Sequence, residues 1–279
     1  MPLGFQRFWL QLACRSNFPP SGIRFQRERI ADVPVEIAVP EDPLPGAVLY
    51  LHGGAYVTCS ARTHRGVTGR LARKTGRRVI AVDYRLAPEH PYPAALQDLM
   101  NVWQGLLNRG ERPEEMVFVG DSAGGGLALG ATQWLRDRDS ALPAGLVLFS
   151  PWTDLSLDHL NHQARDVLVT ESWIRDSARS YLSGVPASTG YASPVYGDFD
   201  NLPPLLIQVS RDELLLDDAR RVAEAARAAG VEVDLQEFDG LWHVFQLNAG
   251  LVAEAEQALS AAAQTIEQWL KAGKEADDG

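Results

Sequence analysis

The sequence predicts an α/β protein built on a mostly parallel sheet with helices on both faces. Apolar runs of strand length alternate with segments of helical periodicity over most of the chain. The central runs Val79-Ile80-Ala81-Val82 and Leu205-Leu206-Ile207 are continuously apolar, as in strands covered on both sides. The 279 residues, 46% hydrophobic and 22% charged, match one large folded domain and lack the bias of disordered, collagen-like or coiled-coil chains.

Taken in order, Phe5, Phe8 or Trp9, and Leu12 follow helical spacing in an aromatic-rich start that also holds Phe18 and Phe25. Segments 24–30 and 35–39 read as antiparallel edge strands, because Val35, Ile37 and Val39 alternate with Glu36 and Ala38. Further strands are expected at 47–52, 79–84, 117–120, 146–150, 205–210 and 233–238, and helices at 63–75, 94–108, 123–136, 217–229 and 251–271. In the last helix Leu251, Ala255, Leu259, Ala262, Ile266 and Trp269 fall on one stripe. Roughly fifty residues separate 150 from 205, too many for a plain crossover, so an inserted cap with a helix at 170–182 is expected. The domain reading is one unit over 1–279, with cap elements at 1–22 and 155–195.

The 36 acidic and 26 basic residues give a formal charge of -10, which repels phosphate backbones and anionic lipid surfaces, so no nucleic-acid or membrane partner is expected. Two cysteines, Cys14 and Cys59, make no disulfide framework. The apolar stretch 8–14 is interrupted by Gln11 and lacks a clean cleavage site, and no window approaches the roughly 20 apolar residues of a membrane span. A cytoplasmic location is the expectation.

Gly120-Asp121-Ser122-Ala123-Gly124 follows one predicted strand and opens a predicted helix. A nucleophile elbow needs that context, because the sharp turn that lifts a serine hydroxyl above the sheet leaves no room for flanking side chains. His52-Gly53-Gly54-Ala55-Tyr56 ends another strand with bare amides at Gly53, Gly54 and Ala55. Two of these with the amide of Ala123 would make a three-donor oxyanion hole. A serine needs a base, and of six histidines His243 alone follows the last strand, at the carboxyl edge where open α/β sheets place their sites. Asp212, just past the strand at 205–210, is the chosen carboxylate partner. Its rivals Glu213, Asp217 and Asp218 read as the acidic first turn of the next helix. The chain order Ser122, Asp212, His243 is nucleophile, acid, base.

These motifs, with Asp83-Tyr84-Arg85-Leu86-Ala87-Pro88-Glu89-His90-Pro91 and Ser150-Pro151-Trp152, resemble the hormone-sensitive-lipase-like family of bacterial carboxylesterases. The resemblance implies an α/β-hydrolase fold with a small helical cap and a triad of Ser122, Asp212 and His243. It also implies oxyanion amides from the glycine loop and Ala123, and a first helix whose inner face lines the substrate pocket. The family pattern carries a third glycine where this chain has Ala55, and a positive φ there would cost about 1 kcal/mol or more. The expected activity is hydrolysis of small or short-chain acyl esters through an acyl-enzyme, with no metal and no organic cofactor. A lactone or amide hydrolase with the same triad, and a non-catalytic ligand-binding protein on this fold, are the alternatives. A homo-oligomer is left open.

Overall fold

The computed structural model describes residues 3–13 and 18–277. Its centre is an eight-stranded sheet of β1 (Arg24–Ile30), β2 (Val33–Val39), β3 (Leu44–Leu51), β4 (Arg77–Val82), β5 (Met116–Asp121), β6 (Leu146–Phe149), β7 (Leu205–Ser210) and β8 (Val233–Phe238). The spatial order is β1-β2-β4-β3-β5-β6-β7-β8, with β1 and β2 antiparallel to their neighbours and β4, β3, β5, β6, β7 and β8 mutually parallel. Parallel strands end at one edge, so the loops after β3, β5, β6, β7 and β8 converge there.

Helices α3 (Ala94–Asn108), α4 (Ala123–Arg136) and α6 (Leu216–Ala228) cover one face, where Leu99, Trp103, Leu127 and Val222 join the core. Helices α2 (Arg65–Thr75) and α7 (Ala253–Asp277) cover the other, through Leu71, Leu259 and Ile266. The expected stripe of α7 holds for Ala255, Leu259, Ala262 and Ile266, all buried, with Trp269 packed beside them. Leu251 departs from it: the helix starts two residues later, and Leu251 is 75% exposed.

The edge reading of β2 is corrected. Of these two strands only β1 lies at an edge, and it is mostly exposed; β2 also pairs with β4 and is buried on both faces, Glu36 included. Arg65 reaches Glu36 from α2 at 2.6 Å and Arg27 from β1 at 3.0 Å. Burial raises the Glu36 carboxyl, but the two guanidiniums outweigh it and hold the group below its ordinary range. A strand whose alternation of Val35, Ile37 and Val39 with Glu36 and Ala38 reads as half-buried therefore lies inside, because the partners of the glutamate come from elsewhere in the chain.

Helix α5 (Glu171–Leu182) lies in the long connection between β6 and β7, its first turn capped by the Thr170 hydroxyl, which accepts from the Trp173 amide. Helix α1 (Leu3–Ala13) joins it through a Trp173 Nε1 to Gln6 Oε1 hydrogen bond of 3.1 Å. Arg7 ties α1 to the body by donating to the carbonyls of Val57 (2.8 Å) and Ala87 (2.9 Å), and by a two-pronged pair with Glu89. Phe5 and Phe8 are 49% and 59% exposed, while Leu3 packs against the core. Cys14 lies outside the described residues, as do the side chains of Trp9 and Leu12. Among the described residues no helix is long and apolar enough to cross a membrane.

What lets the start of α4 sit against the ends of the paired strands β3 and β5 is missing side chains. A Cβ on Gly120 would run into the Gly124 carbonyl, and one on Gly124 into the Leu51 carbonyl at the end of β3. We expect Gly124→Ala to lower stability by about 3 kcal/mol or more, since the obstructing atoms are backbone and cannot step aside. Gly190→Ala, with open space around it, should stay within about 0.5 kcal/mol of the parent in urea unfolding.

Candidate active site

Ser122 stands between the end of β5 and the start of α4 with φ 52 and ψ -120, a backbone conformation costly for any residue with a side chain. The turn is held from several sides. The Ser122 amide donates to the Phe149 carbonyl at 2.8 Å, and its own carbonyl accepts from Gly125, Gly126 and Trp152 at 3.0, 3.1 and 2.9 Å. Strain is tolerated here because neighbouring backbone over-determines the geometry, and the N-terminus of α4 adds favourable dipole for developing negative charge.

The loop after β3 turns through three residues with positive φ, Gly54 at 104, Ala55 at 53 and Tyr56 at 62. Ala55 thus occupies the left-handed region that its family position requires. Of the expected oxyanion donors, Gly53 is corrected: its amide is taken by Asp121 Oδ2 at 3.0 Å and is not open to a ligand. The amides of Gly54, Ala55 and Ala123 make no hydrogen bond among the described residues.

His243 lies past β8, buried, with Nδ1 3.4 Å from Oε2 of Glu213. Glu213 is fully buried, and the same oxygen accepts from the Ser150 hydroxyl at 2.8 Å. Ser150 Oγ in turn accepts from the Val244 amide at 3.1 Å, so one hydroxyl braces both the carboxylate and the histidine loop. Burial pushes the Glu213 carboxyl above its ordinary range, with His243 and Ser150 pulling it back. Burial opposes the charged form of His243 as well, but the Glu213 carboxylate outweighs it and leaves the imidazole above its ordinary range.

Asp212, the expected partner, is elsewhere. Its Oδ2 accepts from the Gly240 amide at 2.7 Å, tying the turn after β7 to the turn after β8. Successive side chains leaving a strand point to opposite sides, so Asp212 goes outward and Glu213 inward. The rivals sort by their contacts. Asp217 sits 3.9 Å from Arg220 in the first turn of α6, and Asp218 is buried beneath the loop after β6, accepting from the amides of Thr153 (2.7 Å) and Asp154 (2.8 Å). Glu213 was legible as a candidate, since α6 begins only at Leu216, leaving Glu213 outside the helical turn to which its charge had been ascribed. Ser150 stands in the Ser150-Pro151-Trp152 motif at a strand end, but nothing in the sequence ties its hydroxyl to Glu213.

The remaining histidines are not brought to this edge as bases. His90, His159 and His162 are exposed, while His52 and His64 are buried behind the glycine loop. On one sheet edge the arrangement brings together a serine in a strained elbow, an imidazole beside a buried carboxylate, and amides left without partners among the described residues.

The Abhydrolase_3 family, described as an alpha/beta hydrolase fold, matches residues 48–247. The acetyl-hydrolase of Streptomyces hygroscopicus is 40% identical over 77% of this chain and 73% of its own. The carboxylesterase/phospholipase LipF of Mycobacterium tuberculosis is 36% identical over 95% and 74%. The crystal structure of an esterase from the bacterial hormone-sensitive lipase family superposes with a TM-score of 0.93 at 36% identity, covering 97% of this chain and 92% of that one. The chain therefore belongs to the Abhydrolase_3 family of α/β-hydrolases, among the hormone-sensitive-lipase-like carboxylesterases, and is a carboxylic ester hydrolase.

Proposed function

We propose that the chain hydrolyses short-chain acyl esters through an acyl-enzyme, with Ser122 as nucleophile, His243 as general base and Glu213 as the carboxylate partner. The observation that carries this reading is the buried Glu213–His243 contact on the sheet edge that also presents the Ser122 elbow. Neutral His243 takes the Ser122 proton as the oxygen attacks the ester carbonyl. The carbonyl oxygen becomes an oxyanion opposite the amides of Gly54, Ala55 and Ala123, and Glu213 stabilises the imidazolium that has formed. The imidazolium protonates the leaving alcohol. Water then repeats the sequence on the acyl-enzyme, giving the acid and free serine.

The short-chain preference is supported by a relative named acetyl-hydrolase. A methylene contributes up to about 0.8 kcal/mol, roughly fourfold in kcat/KM, only while it still enters the pocket.

Three outcomes check the proposal. Ser122→Ala should lower kcat by about 10⁶, and Glu213→Gln by on the order of 10⁴, whereas Asp212→Asn should stay within about tenfold, its carboxylate serving only a turn. Steady-state rates on an activated butyrate ester decide, and an Asp212 variant more impaired than the Glu213 one reverses the assignment.

The acidic limb of kcat/KM should lie above pH 6.5, the ordinary imidazole value, because the base must be neutral and the carboxylate holds its proton on. Glu213→Gln removes that attraction while burial remains, so the limb of its residual activity should move below 6.5. An unmoved midpoint counts against the pair.

On a graded ester series the maximum should fall between about C2 and C8, with little turnover at C12 and above. Arg7→Ala, which frees α1 from the Val57 and Ala87 carbonyls and from Glu89, should extend the range to longer chains without moving the acidic limb. Faster turnover of emulsified long-chain lipid than of butyrate by the intact protein would overturn the short-pocket reading.

A further inference from the structure

A second buried carboxylate–imidazole pair lies behind the oxyanion loop, and the hydrolytic steps make no use of it. Asp121, the residue before Ser122, divides its oxygens: Oδ2 accepts the Gly53 amide at 3.0 Å, while Oδ1 accepts the Tyr50 hydroxyl at 2.7 Å and lies 3.3 Å from His64 Nε2. His64, 2% exposed, comes from the single 3₁₀ turn Ala61–His64 that precedes α2. Its other nitrogen, Nδ1, lies 3.2 Å from the Ser60 carbonyl oxygen and 2.9 Å from the Thr63 hydroxyl. That hydroxyl directs its own proton to the same carbonyl, at 2.7 Å. Carboxylate and carbonyl oxygens only accept. Nε2 therefore faces a carboxylate and Nδ1 a carbonyl and a hydroxyl, and with that hydroxyl donating to Ser60 only the doubly protonated ring donates from both nitrogens.

The neighbouring ring is placed to stay neutral. His52 Nδ1 lies 2.7 Å from the Gly53 carbonyl, its Nε2 has no hydrogen-bond partner among the described residues, and its ring is stacked on Tyr84 at 4.2 Å, with the His64 centroid 5.6 Å away. Two buried imidazolium rings that close would repel. Burial and the charge of His64 push His52 down to about 4. Burial also opposes a charge on His64, but Asp121 outweighs it and raises the group above its ordinary value. The other ionisable groups in this cluster are Tyr50 on β3, Tyr84 and Asp83 after β4, and Cys59 in the loop.

We propose that His64 is a positioning residue of this esterase: as a buried imidazolium it keeps Asp121 ionised, and Asp121, through the Gly53 amide, holds the loop so that the amides of Gly54 and Ala55 face the reacting oxygen. The proposal rests on the serine mechanism above only for its kinetic consequence. The charge state of His64 is independent of it. One oxyanion donor misplaced costs on the order of 10² in kcat, and it does so without weakening ground-state binding, since the amides act on charge that appears in the transition state.

Nitrogen-15 NMR of histidine-labelled protein tests the charge directly. His64 should show both ring nitrogens protonated from pH 6 to 8, while His243 titrates. A His64 ring with one bare nitrogen at pH 7 overturns the proposal, and because this spectrum needs no substrate, failure of the serine mechanism would leave it readable. In kinetics, His64→Leu should lower kcat by about 10² with KM within about twofold, and should weaken a trifluoromethyl ketone inhibitor, which presents a bound oxyanion, by a similar factor. His64→Gln, a neutral donor of similar reach, should recover part of the loss and serves if the leucine variant fails to fold. Wild-type kcat in either folded variant, or a loss that appears wholly in KM, overturns it.

Discussion

The close approach of two backbones at the elbow is the constraint from which the rest of the site follows. Ser122 is raised only because Gly120 and Gly124 leave room for the carbonyls of Gly124 and Leu51. β3 and β5 are hydrogen-bonded neighbours, and that contact seats the start of α4 across their ends, with the glycine loop beside the serine. Larger side chains at either position would push Ser122 away from that loop, whatever the chemistry of the other residues. The strained φ of Ser122 and Ala55 is the local cost, offset by a sheet buried on both faces.

Around this joint the protein places two buried carboxylates beside two buried imidazoles. Neither carboxylate stands alone: Glu213 has Ser150 and His243, and Asp121 has Tyr50, Gly53 and His64. An isolated charge in such surroundings would be expelled or neutralised, and hydrogen-bonded partners are what make burial tolerable. The two pairs differ in what their imidazoles face. His243, past β8 on the sheet edge that carries the elbow, faces the Glu213 carboxylate, whereas His64 lies between the Asp121 carboxylate and the Ser60 carbonyl.

The long connection between β6 and β7 is held by polar contacts of the same kind. Asp218, pushed up to about 7 by burial, accepts the amides of Thr153 and Asp154, and Asp154 accepts from Arg221 at 2.6 Å and from Tyr196 at 2.8 Å. These bonds fix the chain where it leaves β6. Arg7 does the equivalent for α1, reaching the Val57 carbonyl in the loop after β3. A few polar side chains thus tie α1 and the β6–β7 connection to the sheet edge that carries the elbow.

The sequence alone determined the layers, the parallel centre, the Gly-Asp-Ser-Ala-Gly elbow and the location of His243 past the last strand, because each is a local signal: periodicity, a turn that excludes side chains, or order along the chain. Helices α3 and α4 have the bounds that their periodicity predicts, 94–108 and 123–136. Tertiary structure alone decided which carboxylate serves the histidine, since Asp212 and Glu213 are adjacent in sequence and differ only in the direction each leaves the turn. It also decided that the Gly53 amide belongs to Asp121, and that Glu36 is an interior residue of β2 rather than a mark of an edge. In each case the deciding partner lies far off along the chain, at Gly240, at Asp121 or at Arg65. Pairing across such separations is set by how the elements pack, and the residues themselves carry no local trace of it.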